Sequence, residues 1–138
     1  MTNPVLASFN IQHIIMTESV FRRKSVIDFN KRQNPSVDVK TNYSLNPDGS
    51  IYCVVELSYS ATYEDDTEPI IEARIVLGGL FTKNGETMLP TDTFGKVNAP
   101  AILFPFVREH LSSLSVKANI VPILLTPVNF EALSKQSQ

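Results

Sequence analysis

The fold is decided by residues 51–63, which read IYCVVELSYSATY. Most odd-numbered positions from Ile51 to Tyr63 are apolar or aromatic, whereas Glu56, Ser58 and Ser60 occupy the other face. Successive side chains of a strand point to opposite faces, so a period of two over this length is typical of a strand with one buried face. The stretch therefore predicts a long strand in a sheet that is covered on one side.

Similar strands are predicted on both sides of this one. Residues 37–45 alternate in the same way and lead into the turn Asn46-Pro-Asp-Gly49, where proline presets φ and glycine accepts a positive φ. After an acidic turn at residues 64–69, Ile71, Ala73, Ile75 and Leu77 mark a third strand, which we expect to end at Gly78-Gly79. Short turns between neighbouring strands predict an antiparallel meander.

An earlier strand begins at Phe9–Gln12, and its alternation slips at residues 13–15, where we predict a bulge. Residues 82–97 predict a loop. A helix is predicted over 101–116 from the apolar stripe Leu103, Val107, Leu111 and Leu114.

Asn98 is the predicted N-cap of that helix, and Pro100 fits its first turn. Pro105 predicts a kink or a late start, because an interior proline removes a backbone hydrogen bond. Residues 120–128 form an apolar linker broken by prolines, and Asn129 is expected to cap a short final helix through Lys135. The prediction is an α+β fold in one domain, 1–138: a four-stranded antiparallel sheet (meander) with one long helix and a short C-terminal helix.

Composition excludes several functional classes. The chain has 138 residues, 43% of them hydrophobic, with a net charge of -2, which is typical of a globular protein without affinity for nucleic acid. Residues 1–7 lack the basic region and apolar run of a signal peptide, and no apolar stretch is long enough to cross a bilayer. We expect a cytoplasmic protein without membrane insertion.

No group of side chains predicts catalysis or metal binding. His13 and His110 lie on different predicted elements, and Cys53 lies on the inward face of its strand, where we expect an inert thiol. The acidic turn Glu64–Glu68 lacks the spacing of a calcium loop, and Gly78-Gly79 lacks the surroundings of a phosphate loop. We expect no enzyme activity, no cofactor and no metal.

The predicted elements leave more apolar surface than one helix can cover. The loop and the linker add Phe94, Val97, Ile123, Leu124, Leu125, Val128 and Phe130. Each large apolar side chain left in water forgoes about 1.5–3 kcal/mol of burial. We therefore expect this surplus to lie in a subunit interface, in a ligand groove, or in both.

Two stretches of the C-terminal half resemble the SecB family of protein-export chaperones. They are Asn98–Glu109, NAPAILFPFVRE, and Leu125–Leu133, LTPVNFEAL. Phe9–Gln12 and Gly78–Phe81 fit the same family, so the resemblance spans residues 9–133. It implies the same four-stranded sheet and two helices, places Pro105 inside the long helix, and implies a homotetramer built as a dimer of dimers.

The resemblance also implies an ATP-independent holdase that binds unfolded polypeptides in long hydrophobic grooves. The lining would come from the second strand, the loop before the long helix and the linker between the helices. Those regions supply Val37, Val39, Phe94, Val97, Phe104, Phe106, Leu124, Val128 and Phe130. Apolar burial is non-directional, so such binding tolerates many client sequences.

Export members of the family pass clients to the SecA motor through an acidic sheet face and C-terminal tails. Glu18 and Glu72 lie in the stretches that would supply this face, but so do Arg22 and Arg74, and no acidic tail follows the last predicted helix. Positive side chains facing a basic partner lower its affinity, so we expect weakened SecA docking. Two alternatives remain open: a SecB-like chaperone that protects an antitoxin, and a non-chaperone module that binds one peptide or apolar ligand.

Overall fold

The computed structural model describes residues 9–83 and 90–136, which form a sheet covered on one face by helices. The strands are β1 (Phe9–Arg23), β2 (Gln33–Leu45), β3 (Ile51–Tyr63) and β4 (Pro69–Lys83). The helices are α1 (Thr91–Thr93), which continues through a π-helical stretch (Phe94–Asn98) into α2 (Ala99–Lys117), and α3 (Phe130–Gln136). The predicted fold class, a four-stranded antiparallel sheet with one long helix and a short C-terminal helix, is confirmed.

The strand order across the sheet differs from the order along the chain. β2, β3 and β4 form the predicted meander, but β1 pairs with β4, which gives the order β1-β4-β3-β2. The connection 24–32 therefore runs across one end of the sheet, between the two edge strands. It is tied down at both ends, because Lys24 N–H donates to the Ile70 carbonyl and Glu64 N–H donates to the Arg32 carbonyl, each at 2.9 Å.

Strand β1 contains two irregularities where the sequence predicts one. Its pairing register with β4 shifts at Gln12 and again at Thr17, so the first shift lies just before the predicted bulge at residues 13–15 and the second was not predicted. Each extra residue reverses which side chains face the core. Ile14 consequently packs against the core, whereas Ile15 is 47% exposed. In the sequence, the adjacent apolar residues Ile14 and Ile15 indicate that the inward-facing positions change here. They do not indicate which residue of the strand is the inserted one.

The core lies between the inner face of the sheet and α2. Alternate residues of β3 and β4 are buried as predicted, namely Ile51, Cys53, Val55, Leu57, Ile71, Ala73, Ile75 and Leu77. Leu103, Val107 and Leu111 of α2 are fully buried against them, and Leu114 packs at the edge of the same cluster. The helical stripe predicted from the sequence is therefore the face that α2 turns to the sheet.

Gly78 and Gly79 lie inside β4, so the prediction that they end the strand is wrong. A Cβ at Gly78 would collide with the Tyr52 hydroxyl, and a Cβ at Gly79 would lie 2.7 Å from Leu103 Cδ2. Consecutive residues face opposite sides of a strand. Gly78 thus leaves room for Tyr52 on the outer face, and Gly79 leaves room for α2 on the inner face. Strand β4 continues to Lys83.

The helical layer begins earlier than predicted. Most of the described part of the predicted loop 82–97 is helical, from Thr91 onward, while its residues 84–89 lie outside the described part of the chain. Asn98 has helical dihedrals (φ -75°, ψ -45°) and makes no capping hydrogen bond, so it lies within the helix instead of capping it. The predicted N-cap is therefore wrong.

Two residues that usually interrupt helices are accommodated here by their surroundings. A Cβ at Gly95 would lie 2.5 Å from Tyr43 Cδ2, so the glycine lets the helical backbone pack on that ring. Pro105 lies inside α2, as the resemblance implies, and it is on the exposed side of that helix. The prediction that the helix starts late, after this proline, is wrong. An exposed proline costs the helix a backbone hydrogen bond without creating a buried unpaired group.

Candidate functional site

An open apolar groove of about 550 Å³ lies between β2 and the segment 120–128. Its lining comprises Gln33, Pro35, Val37, Tyr59 and Ile71 from the sheet, Phe104, residues 120–126 and Val128 from the helical side, and Phe29 from the connection 24–32. The groove is thus built from three separate parts of the chain, each of which must be held in place.

The rim of the groove carries large apolar side chains that are left in water. Val121 is 82% exposed, Leu124 80%, Phe29 57% and Val37 47%. A contiguous exposed apolar patch on a folded chain marks a site of interaction. Part of the apolar surplus inferred from the sequence is therefore located here.

The end of α2 sets the direction of the segment 120–128. Asn119 adopts φ +57°, and the N–H groups of Asn119 and Ile120 donate to the carbonyls of Val116 and Ser115 at 3.0 and 3.1 Å. These two hydrogen bonds around a left-handed residue form a Schellman motif, which ends a helix and turns the chain. Asparagine tolerates this conformation better than most residues.

Ser115 then holds the segment against the helix. Its fully buried hydroxyl donates to the Leu111 carbonyl at 2.7 Å and accepts from Ile123 N–H at 3.2 Å. Ile123 and Leu125 pack against the core, whereas Leu124 between them points outward. The hydrogen bond at Ile123 therefore helps to decide which apolar side chain of the segment reaches the rim.

The far end of the segment is fixed by α3. Asn129 Oδ1 accepts from Ala132 N–H at 3.0 Å, which confirms the predicted cap. Phe130 is 4% exposed and packs edge-to-face on Phe104, with the ring centroids 5.6 Å apart. Both ends of the segment are thus anchored, and the groove between them is kept open.

The connection 24–32 contributes Phe29 to the groove lining. Ile27 is buried against Ile70, and Asp28 N–H donates to the Tyr63 hydroxyl at 2.9 Å, which places Phe29 beside the groove lining. Phe29 was not among the lining residues predicted from the sequence. The available signal was the group of apolar residues, Val26 included, in a segment that connects two strands.

The described lining contains no Asp, Glu, Lys, Arg or His. Tyr59 is its ionisable group, and burial raises the pKa of that phenol, so the side chain stays neutral. Gln33 and Thr126 add polar side chains at the groove. A groove of this kind offers apolar contact and a few hydrogen bonds, which suits binding.

Comparison with known proteins agrees with this architecture. The family model described as preprotein translocase subunit SecB matches residues 3–138. The chain belongs to the SecB family.

Two relatives named protein-export protein SecB illustrate the similarity. The protein of Stutzerimonas stutzeri is 33% identical over 132 residues, which cover 94% of this chain and 80% of the relative. That of Pseudomonas aeruginosa is 35% identical over 133 residues, which cover 93% and 80%. The resemblance to SecB drawn from the sequence is confirmed.

A solved structure shares the SecB-like fold. It is a Mycobacterium tuberculosis SecB-like chaperone in complex with a ChAD peptide from the HigA1 antitoxin, with a TM-score of 0.71 and 12% identity. The match covers 88% of this chain and 91% of that one. Within residues 9–83 and 90–136, no helix has the length and apolar character needed to cross a bilayer.

The groove brings together part of the client-binding set that the SecB resemblance implies. Val37, Phe104, Leu124 and Val128 line it. These four come from β2, from α2 and from the segment between the helices, so the groove joins β2 to two elements that are distant from it in sequence.

The other members of that set lie elsewhere. Phe94 is buried and stacks on Phe9 with the ring centroids 3.9 Å apart, and Phe130, the first residue of α3, is buried against Phe104. Phe106 is 48% exposed on α2 and does not line the groove. Val39 and Val97 are partly buried and pack against the core. A role of these five in client binding stays a prediction.

The outer face of the sheet carries the side chains that the SecB resemblance assigns to partner docking. Arg74 Nε lies 3.1 Å from Glu18 Oε2, and its Nη2 lies 3.2 Å from Glu56 Oε1. The hydrogen bond and charge of Glu18 raise the pKa of Arg74, with a smaller effect from Glu56. Glu72 lies opposite Arg22 in the β1–β4 pairing. Each predicted docking carboxylate thus has an arginine beside it or opposite it.

The remaining candidate side chains are placed apart from the groove. Cys53 is fully buried, and burial raises the pKa of its thiol to about 12. His13 is exposed on β1, while His110 on α2 makes a 2.8 Å hydrogen bond with Ser19 Oγ. The thiol is buried, as predicted.

Proposed function

We propose that this chain is a holdase that binds unfolded segments of other polypeptides in the groove between β2 and the segment 120–128. The observation that carries the proposal is the uncharged apolar rim, on which Val121 and Leu124 are 82% and 80% exposed. Membership of the SecB family and the names of the relatives support a chaperone role in protein export. Binding needs neither ATP nor chemistry in this scheme.

An unfolded polypeptide suits this groove better than one small molecule. The groove is open along its length, and its rim side chains project into water instead of enclosing a ligand. Apolar contact is non-directional, and several weak contacts along one flexible chain add up to useful avidity. The client-binding residues proposed here are Val37, Phe104, Leu124 and Val128, together with Phe29 and Val121.

Membership of the family supports a proposal for assembly and location. We propose a cytoplasmic homotetramer, a dimer of dimers, in which further exposed apolar residues are covered by neighbouring subunits. Ile102 and Phe106 of α2, which are 37% and 48% exposed, are candidates for such a contact. The client grooves would remain open on the surface of the assembly.

Delivery to a SecA-type motor is proposed to be weaker than in members with an acidic sheet face. Arg74 neutralises part of the charge of Glu18 and Glu56, and Arg22 lies opposite Glu72 in the β1–β4 pairing. A basic partner would therefore meet little net negative charge at Glu18 and Glu72, and electrostatic steering would be small.

The test is suppression of aggregation. An aggregation-prone enzyme unfolded in guanidinium is diluted into buffer without nucleotide, with this protein or with an equal mass of serum albumin. We expect light scattering to fall at near-stoichiometric amounts of the protein and not with albumin, and the client to elute with an assembly of this chain. Unchanged aggregation at a large excess of the protein would refute the holdase proposal.

A further inference from the structure

Two walls of the groove, the connection 24–32 and the segment 120–128, start beside each other. The first begins directly after β1 ends at Arg23, and it carries Phe29. The second starts just after Ala118, the C-cap residue of α2. Whatever fixes these two starting points relative to each other therefore also fixes how far apart the walls begin.

One guanidinium joins the two starting points. Arg23 Nη1 donates to the Ala118 carbonyl at 2.8 Å, at the end of α2. Its Nε donates to the Lys24 carbonyl at 2.8 Å and its Nη2 to the Ser25 carbonyl at 3.2 Å, both at the start of the connection 24–32. Each of the three guanidinium nitrogens thus holds a different backbone carbonyl.

An arginine suits this junction for two reasons. The guanidinium is planar and carries five N–H donors in a fixed fork, so one side chain can hold several carbonyls in a set arrangement. The last carbonyls of a helix have no partner within the helix and carry partial negative charge, which a cation stabilises. A lysine keeps the charge, but its single nitrogen does not reproduce the fork. The link therefore depends on the shape of the guanidinium as well as on its charge.

Apolar packing places this junction at the groove. Ile27 of the connection is buried with Ile71 in one small cluster, and Ile120 packs against the same cluster from the other wall. Ile71 lies opposite Arg23 in the β1–β4 pairing and also lines the groove. The hydrogen bonds of Arg23 are thus made beside the groove and not on a remote surface.

We propose that Arg23 is a positioning residue for client binding, which holds the connection 24–32 and the segment 120–128 at a fixed separation. This inference rests on the proposed function and names what sets the shape of the same groove. With the link in place, Phe29 and Val121 are held in the lining before a client arrives, and the client does not have to order them. A site that is ordered in advance binds more tightly because less freedom is lost on binding.

The binding test replaces Arg23 with lysine, which keeps the charge and loses the fork. Affinity for a fluorescein-labelled peptide, Lys-Ser-Leu-Phe-Gly-Val-Leu-Ser-Lys, is measured by fluorescence anisotropy, with circular dichroism to verify the fold. The matched control is Arg22→Lys, the same substitution at the preceding residue, whose side chain does not line the groove. We expect about 5- to 20-fold weaker binding for Arg23→Lys and a change of less than about twofold for the control.

A second measurement reports the separation of the walls directly and needs no client. The chain has no tryptophan, and its single cysteine, Cys53, is buried, so Phe29→Trp and Val121→Cys introduce one donor and one labelling site. The introduced thiol is labelled with AEDANS, and time-resolved energy transfer gives the distribution of distances between the walls. Excess unmodified protein is present during assembly, so that transfer occurs within one chain. We expect a narrow distribution, which Arg23→Lys broadens and saturating peptide narrows again.

The outcomes separate this inference from the function on which it rests. Unchanged peptide affinity for Arg23→Lys, an equal loss for Arg22→Lys, or the same distance distribution with and without the Arg23 substitution would overturn the positioning role. A broad distribution in the protein with Arg23 intact would overturn it too, and this measurement requires no Arg23 variant to fold. The holdase proposal itself fails only if the unmodified protein does not suppress aggregation.

Discussion

Replacing Leu124 with serine removes apolar surface from the groove rim without disturbing the core. The side chain is 80% exposed, so the change should leave stability within about 0.5 kcal/mol. Complete burial of a leucine contributes about 1.5–3 kcal/mol, and four-fifths of that is about 1.2–2.4 kcal/mol. A client segment that covers this side chain should therefore bind roughly 8- to 60-fold more weakly to the variant.

The assay is a fluorescence anisotropy titration with a short unfolded segment, so that multiple grooves are not bridged by one client. The matched control is Val116→Ser, because Val116 is 59% exposed on α2 and does not line the groove. We expect the control to bind as the unmodified protein does. Unchanged affinity for Leu124→Ser, or an equal loss in both variants, would show that the groove is not the client site.

Three further predictions concern the positions that shape the site. Ser115→Ala should lower the free energy of unfolding by about 1–3 kcal/mol, measured by urea titration, because it leaves the Ile123 amide unpaired; an unchanged midpoint would contradict this role of Ser115. Gly78→Ala should lower the melting temperature through collision with Tyr52, and adding Tyr52→Ala should recover much of the loss; no recovery would rule out this explanation of the glycine. Burial raises the pKa of Cys53 to about 12, so at pH 8 the folded protein should resist a thiol reagent that quickly labels the urea-unfolded chain, in which thiols ionise near about pH 8.5; rapid labelling of the folded protein would refute burial of the thiol.

Sequence reasoning located the elements whose patterns are local. The alternation in β3 and the stripe Leu103, Val107, Leu111 of α2 are direct consequences of strand and helix geometry, and both are found in the core. The placement of β1 beside β4 is different, because an edge strand with a one-sided pattern fits either neighbour equally well. The connection 24–32 is long enough to cross the end of the sheet, and this allows β1 to pair with β4 in the observed strand order.

The helical start of α1 shows where residue preferences mislead. Glycine and asparagine disfavour helix interiors, yet Gly95, which lies in the predicted loop 82–97, and Asn98, the predicted cap, are both helical. Packing overrides this preference, because Gly95 lets the backbone approach the Tyr43 ring and the tyrosine hydroxyl hydrogen-bonds to Asp92 in α1. The contact that stabilises the helix is made by Tyr43 of β2, about fifty residues earlier in the sequence. A local sequence pattern does not contain this contact.

The candidate site was only partly predictable, because hydrophobicity marks both lining and core. Leu125 and Leu124 are identical in type and adjacent in the sequence, yet one is 8% exposed and the other 80%. What separates them is the register of the segment 120–128, which a polar side chain fixes: Ser115 binds Ile123 N–H and so turns Leu124 outward. A shift of this segment by one residue would bury Leu124 and expose its neighbours. The composition of the rim thus depends on a serine that no search for apolar residues would select.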